Sequence, residues 1–84
     1  MAFPTTVIVE FAWDTEANVY VATSNHVPGL VAEAETVEKL DQKIRYLIPL
    51  LLEENKHLFG DKLDMSVPIE LLIQQRSILS LNVD

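Results

Sequence analysis

The sequence predicts one small α+β domain, in which an antiparallel sheet carries a single kinked helix on one face. Three observations favour this fold class. The chain has 84 residues, which is the length of one domain. Segments with the alternating apolar pattern of strands occur towards both ends of the chain, and a longer segment with helical spacing lies between them. Strands gathered before and after a helix are typical of α+β domains. The expected order is β-β-β-α-β, in a single domain over residues 1–84.

The N-terminal half of the chain contains three predicted strands. Residues 5–13 alternate and are rich in β-branched and aromatic side chains. Residues 19–23 follow after a short polar turn, so the two segments should form an antiparallel hairpin. Pro28 and Gly29 then mark a tight turn, because proline fixes φ and glycine can take positive φ. The third strand is expected at residues 30–35.

A helix is predicted after the third strand. Thr36 is the expected N-cap, because its hydroxyl can accept a hydrogen bond from a backbone N–H one turn further on. Pro49 removes a helical hydrogen bond and clashes with the preceding turn, so a kink or a break is expected near residues 47–48. Gly60 should end the helical region. The apolar residues expected to face the sheet keep helical spacing: Val37, Leu40, Ile44, Leu47, Ile48 and Leu51.

The last clear strand is predicted at residues 66–75, where alternation resumes. Pro68 cannot donate to a ladder, so this strand should begin at a sheet edge or outside the pairing. The tail beyond it is apolar, and Leu79, Leu81 and Val83 alternate like a further strand. Either the tail closes its own sheet or it pairs with another chain. The second arrangement is favoured, as a homodimer, because a small core gains stability from association.

Composition limits the classes of function. Six basic against thirteen acidic residues give a formal net charge of −7, without the basic stripe that nucleic-acid binding requires. This acidity either serves solubility or selects a basic partner. The lack of cysteine excludes disulfides and fits a cytoplasmic location. Residues 1–4 do not resemble a secretory signal, and the longest near-apolar run, residues 47–52, is too short to cross a membrane.

No catalytic constellation is evident, so the chain is expected to be a binding module rather than an enzyme, with no metal and no cofactor. Glu54 and His57 have a metal-ligand spacing on one helical face, but a di-iron site would need a second such helix. A solvated helix end is therefore the favoured interpretation. His26 has no sequence neighbour that would act with it as a general base, and it is interpreted as an exposed loop histidine.

A weaker hypothesis is enzymatic. Glu10, Glu33 and Glu35 would share one sheet face, and clustered carboxylates can hold Mg²⁺ and cleave phosphodiesters. That face lies opposite the predicted core, where acidic residues are simply solvated. The net charge of −7 would also repel a nucleic-acid substrate. A Mg²⁺-dependent nuclease thus remains an alternative to a binding module.

Two residues of the predicted helix favour association with another molecule. Tyr46 and Leu50 are four residues apart, on the side of the helix away from the apolar stripe. They would form an apolar patch that faces outward. The alternatives are a helix buried on both sides or a local twist at Pro49.

Several short motifs are distributed over residues 5–75. The second strand contains Tyr20-Val21-Ala22, the turn contains Val27-Pro28-Gly29, and the helix begins with Thr36-Val37-Glu38. Together these segments resemble the HicB-like antitoxin superfamily, including its Thr-x-Glu helix start. The later motifs are similar to a small uncharacterised branch that lacks a DNA-binding module: Ile48-Pro49 and Val67-Pro68-Ile69-Glu70.

The resemblance implies a β-β-β-α-β fold, like that of double-stranded-RNA-binding domains, and a protein-binding function. HicB antitoxins bind a small basic RNA-cleaving toxin and often carry a C-terminal DNA-binding module. Only nine residues follow Gln75, too few for such a module, so direct nucleic-acid binding is not expected. An acidic protein can neutralise a basic toxin surface. An uncharacterised homo-oligomeric domain is the other hypothesis. The residues expected to contact a partner are Tyr20, Glu33, Glu35, Tyr46 and Leu50.

Overall fold

The computed structural model describes residues 5–82. The α+β class and the predicted element order are confirmed. The elements, in chain order, are β1 (Thr6–Asp14), β2 (Val19–Thr23), β3 (Val31–Ala34), α1 (Val37–Glu54), two 3₁₀ turns (Lys56–Leu58 and Gly60–Lys62) and β4 (Glu70–Gln75).

The four strands form one mixed sheet in the order β3-β2-β1-β4. β2 is antiparallel to both β1 and β3. β4 is parallel to β1, with Thr6 opposite Glu70, so the expectation of a wholly antiparallel sheet is wrong for this pair. The cause is the connection through α1. The helix returns the chain to the end of the sheet at which β1 and β3 begin, and β4 then runs in their direction.

The two turns before the helix are determined by local chemistry. At the β1–β2 hairpin, Asp14 Oδ1 accepts hydrogen bonds from the N–H groups of Glu16 and Ala17, at 3.0 and 3.2 Å. Asn18 takes a positive φ of 57°, which asparagine tolerates. At the second turn, Leu30 N–H donates to Val27 O at 3.2 Å across the predicted Pro-Gly pair, and the glycine has a φ of 81°. The predicted hairpin and tight turn are both confirmed.

The helix α1 begins as predicted, continues through its proline and ends at Glu54, before the expected Gly60. Thr36 Oγ1 accepts from Lys39 N–H at 3.2 Å and caps the first turn. The helix runs without a break through Pro49 to Glu54, so the predicted break near residues 47–48 is wrong. Buried side chains on both sides of the exposed proline hold the two halves against the sheet: Ile44, Ile48 and Leu52. The α-helix ends before Gly60, and its C-cap is Asn55.

The core lies between α1 and one face of the sheet, which we call the inner face. α1 packs mainly on β3 and β2. As a result β4 is only partly covered, and Ile69, Leu71 and Ile73 remain half-buried at the margin of the core. The fully or nearly buried residues are Val7, Val9, Phe11, Ala22, Val27, Leu30, Ala32, Ala34, Leu40, Ile44, Ile48, Leu52 and Leu63.

The C-terminal region differs from the prediction at both ends of β4. The strand begins at Glu70 rather than at residue 66. The earlier residues cannot join the sheet, because residues 64–67 form a turn and Pro68 has no N–H to donate to a ladder. Residues 76–82 form no strand, so a fifth strand within the same sheet is not present in this part of the chain. The prediction for Val83 and the interpretation of residues 1–4 fall outside the described residues.

Candidate protein-binding surfaces

The side of the sheet away from α1, which we call the outer face, is uncovered. Val7 and Val9 point into the core, so their neighbours Ile8 and Glu10 point outward. Strand pairing extends this face, because residues directly opposite each other share a side. We define the outer face by Ile8, Glu10, Val21, Val31, Glu33 and Leu72.

The outer face combines apolar and acidic side chains. Val31 is 66% exposed and Leu72 is 41% exposed. Among residues 5–82 the ion pairs are Arg45–Asp41 at 2.9 Å and Arg76–Glu10 at 3.7 Å. The Glu33 carboxylate therefore has no partner cation in the described part of the chain. A surface of this kind suits a partner that brings both apolar area and positive charge.

A second exposed surface is a shallow groove between α1 and β4, where the helix does not reach the edge of the sheet. One part of it, of about 250 Å³, is lined by Arg45, Ile48, Pro49, Ile69 and Leu71. It continues into a second part of about 200 Å³ that shares three of these residues and is bounded by the turn before β4. We call the whole depression the groove. Its walls are largely aliphatic, so it could accept apolar side chains.

The third exposed surface is residues 76–82, which we call the arm. Ile78 is fully exposed, and Leu79 and Leu81 are 81% and 83% exposed. The root of the arm is fixed, because Arg76 N–H donates to Phe11 O at 2.7 Å. The arm therefore leaves the body of the domain directly from the end of β4.

The five residues predicted to contact a partner lie at separate places. Tyr46 and Leu50 are exposed on α1, as their helical spacing predicted. Glu33 and Glu35 are exposed at the β3 edge, on a shallow depression that they share with Lys39 and Lys43. Tyr20 lies on the inner face instead. Its ring packs edge-on against Trp13 and Phe11, with centroid distances of 4.9 and 5.8 Å, and this contact leaves it half-buried.

The three carboxylates of the nuclease hypothesis do not form one cluster, because Glu33 and Glu35 lie near each other but Glu10 is remote. Glu10 is on β1 and Glu33 is on β3, two strands apart, which is about 10 Å across a sheet. Oxygen ligands of a divalent cation must all lie within about 2.6 Å of the ion. No group of three potential ligands suitable for a metal ion occurs within residues 5–82.

His26 has a structural role that sequence analysis missed. It was interpreted as an exposed loop residue, but it is half-buried and its Nδ1 accepts from Ile8 N–H at 2.9 Å. Ser24 Oγ donates to Ile8 O at 2.7 Å. The loop thus supplies hydrogen-bond partners for the backbone N–H and C=O of Ile8, at the part of β1 that extends beyond the end of β2. The residues that form these two hydrogen bonds are 18 and 16 positions apart in the chain. His57, by contrast, lies in an exposed 3₁₀ turn after the helix.

One carboxyl group has a displaced titration. The hydroxyl and the N–H of Ser66 both donate to Asp64 Oδ1, at 2.6 and 3.0 Å. These hydrogen bonds favour the ionised form, so the pKa of Asp64 is lowered from its ordinary value of 3.8. The arrangement stabilises the turn that leads into β4.

The groove was not predicted, whereas the sheet face opposite the core was expected to carry Glu10 and Glu33 and to be a candidate contact surface. Each one is formed by side chains from distant parts of the chain. The feature of the sequence that could have indicated these surfaces is the high aliphatic content of β4 and of the arm. No helix in the described part of the chain is long and apolar enough to cross a membrane.

Comparison with known proteins gives a family and a structural relative. No match was found among curated proteins. A crystal structure of hypothetical protein TTHA1013, from the extremely thermophilic bacterium Thermus thermophilus, is similar, with 42% sequence identity and a TM-score of 0.73. The similarity covers 90% of this chain and 99% of that one. The family model described as a domain of unknown function, DUF1902, matches residues 6–81. The chain therefore belongs to the DUF1902 family.

Proposed function

We propose that this chain is a cytoplasmic protein-binding module of the HicB antitoxin type, which neutralises a small basic RNA-cleaving toxin. The short motifs from Tyr20 to Glu70 that resemble HicB-like antitoxins support this proposal. The shared arrangement of three strands, a helix and a final strand is compatible with it.

The observation that carries the proposal is the uncovered outer face. A sheet face that only met water would be expected to carry polar side chains at most positions. Here about half of the positions are apolar: Ile8 and Val21 lie on the two central strands and Val31 and Leu72 on the edge strands, with Glu10 and Glu33 on the same face. The apolar side chains give affinity, and the acidic groups between them select a basic partner.

The charge of the whole chain acts in the same direction. A net charge of −7 attracts a basic protein over distances longer than a contact, and it raises the rate of encounter at low ionic strength. An RNA-cleaving toxin must expose a basic surface to hold its substrate. By covering that surface, the acidic outer face would exclude RNA through direct competition.

Co-expression tests the proposal. The chain should co-purify with a small basic protein encoded next to its own gene, and the purified chain should suppress RNA cleavage by that protein in stoichiometric amounts. If no such neighbour binds, or if the neighbour binds and cleaves RNA undiminished, the antitoxin function is wrong.

A pair of variants tests the surface. Glu33→Lys places a positive charge on the outer face and should slow association roughly three- to tenfold at low salt, with the difference shrinking as salt is added. Glu54→Lys makes the same charge change at the exposed end of α1 and is the matched control. Equal association rates for the two variants would place the contact elsewhere.

A further inference from the structure

The arm exposes more apolar surface than a small domain can leave in water without a function for it. Ile78, Leu79 and Leu81 are all more than four-fifths exposed. Single exposed aliphatic residues are ordinary, but three within four positions form a continuous apolar segment. Within residues 5–82, none of the three makes a hydrophobic contact with the core cluster. Such a segment is a candidate site of contact with a partner surface.

The arm is poorly suited to fold back on its own chain. Four of the five residues that dominate tight turns, Gly, Pro, Asn and Asp, do not occur from Glu70 to Leu81; the fifth, serine, occurs at Ser77 and Ser80. The molecule is also elongated, with a longest axis of 55 Å. Its radius of gyration is 15.0 Å, against about 12 Å for a compact domain of this length. The segment thus extends away from the body of the domain.

The two edges of the sheet differ in their readiness to accept a strand. At the β3 edge, Lys43 Nζ donates to Glu33 O at 2.6 Å, and β3 is only four residues long. A short edge covered by a lysine is a common protection against strand addition. The β4 edge has no such cover in the described part of the chain. It is therefore the open edge of the sheet.

The hydrogen-bonding groups on the open edge can be assigned. The N–H groups of Glu70 and Arg76 donate towards β1, at 2.9 and 2.7 Å. Because backbone groups alternate in direction along a strand, those of Leu71, Ile73 and Gln75 point to the open edge. Odd-numbered residues of β4 are thus available to bond an added strand.

We propose that two copies of this chain exchange arms, each arm adding antiparallel to β4 of the other copy about a two-fold axis at Gln75. In this dimer the arm would extend β4 as a strand, and its odd-numbered residues would then present their backbone groups to the same edge. Odd residues then pair with odd residues, and Leu79 and Leu81 fall on the inner face of the second copy, beside the groove.

The apolar pattern selects this register. With the axis at Gln75, every exposed aliphatic residue of the arm meets an aliphatic residue of the second copy: Ile78 opposite Leu72, Leu79 opposite Leu71, and Leu81 opposite Ile69. Moving the axis by one residue, to Arg76, sets two arginines opposite each other. It also places Ile78 opposite Gln74 and Ser80 opposite Leu72. Like charges directly opposite are unfavourable, so the first register is preferred.

The resulting dimer accounts for the other exposed features of this region. Leu79 and Leu81 of the second copy would fill the groove beside Pro49, where α1 leaves β4 uncovered. The two sheets become one of eight strands, and both of its outer edges are β3 strands covered by Lys43. On the outer face the dimer covers Leu72, opposite Ile78, and leaves the outer-face residues of β1, β2 and β3 open for the proposed toxin contact.

An engineered cysteine tests the register. The chain contains no cysteine, so Gln75→Cys introduces a single thiol on the two-fold axis. Directly paired residues have Cα atoms about 5.5 Å apart, a separation that a disulfide spans. Mild oxidation of the full chain should convert most Gln75→Cys protein to a covalent dimer. Gln42→Cys, at an exposed glutamine of α1, is the matched control and should stay largely monomeric on denaturing gels.

Sedimentation of the full chain tests the association itself. The wild type should be a dimer at micromolar concentration, and Leu79→Asp should weaken the dimer about 100-fold or more, since each dimer buries this residue twice. Leu58→Asp, at another exposed leucine, should leave the dimer intact. Because Leu79 is exposed in one copy, its replacement should not unfold the domain, and circular dichroism checks this.

Three results would overturn the proposal. If the wild-type chain is monomeric throughout the concentration range, a second copy does not bind the arm. The proposal is then wrong, even if the arm binds a different protein. Equal cross-linking of the Gln75→Cys and Gln42→Cys variants excludes the register. A dimer that Leu79→Asp leaves unchanged excludes the arm. None of these results bears on toxin binding, which co-expression tests separately.

Discussion

Replacing His26 with alanine should destabilise the domain by about 1–2 kcal/mol, because the change removes the acceptor of the Ile8 N–H. An unsatisfied buried donor costs about 1–3 kcal/mol, and the lower part of that range applies since Ile8 is half-buried and water can reach it. The loop would also lose alignment, because His26 N–H donates to Ser24 Oγ at 3.1 Å and that hydroxyl bonds the Ile8 carbonyl.

Urea unfolding and thermal melts measure this effect. A loss of about 1.5 kcal/mol corresponds to a fall in Tm of roughly 6–12 °C for a domain of this size. His26→Asn should lose less, because its amide oxygen can take the place of Nδ1. His57→Ala, at the exposed histidine, is the control and should melt like the wild type. All samples need one protein concentration, since association would shift the melting temperature. If His26→Ala had the same melting temperature as the wild type, the hydrogen bond from Ile8 N–H to His26 would not contribute to stability, and the reasoning would be wrong.

Four further predictions concern other parts of the fold. Ile44→Ala, at a fully buried site facing the sheet, should lower the free energy of unfolding by about 2–5 kcal/mol in urea, and a loss under about 1 kcal/mol would contradict the packing. Thr36→Ala removes the N-cap and should cost about 1 kcal/mol, measured in the same way, whereas Thr36→Ser should not. Pro49→Ala restores a helical hydrogen bond at an exposed position and should add about 1–3 kcal/mol; a less stable variant would mean that the proline is needed for packing. The pKa of Asp64 lies below 3.8 in the folded chain because Ser66 donates to its carboxylate, so the ionised carboxylate stabilises the fold above pH 3.8, and this stabilisation is lost as the pH falls through the lower folded pKa. In acid unfolding, Asp64→Ala should lack this pH-dependent loss of stability, and identical unfolding curves for the variant and the wild type would refute the prediction.

The elements that could be predicted from the sequence depend on neighbouring residues. The alternation in β1 and β2, the Pro28-Gly29 turn and the Thr36 cap all follow from interactions within a few positions of the chain. The outward position of Tyr46 likewise needed only helical geometry.

The features that could not be predicted depend on contacts between distant residues. The parallel pairing of β4 follows from the path of the helix across the sheet, and the continuity of the helix at Pro49 follows from packing on both sides of it. The local sequence pattern predicts neither the parallel pairing nor the unbroken helix. Tyr20 was expected to be available to a partner, but Trp13 on the neighbouring strand packs against its ring. For the same reason the groove was not predicted, since its two walls are separated by the whole turn region before β4.

The pairing of the first strand with the last has a consequence for how the protein is made. Thr6 and Glu70 are direct neighbours in the sheet although 64 positions separate them in the chain. While the ribosome is still adding residues, one side of β1 has no neighbour, and its backbone groups stay bonded to water. The pairing of β1 with β4 can therefore form only after residues 70–75 have been synthesised. A chain that stopped before residue 70 would lack β4 and would leave this side of β1 unpaired, which should make it more open to proteolysis.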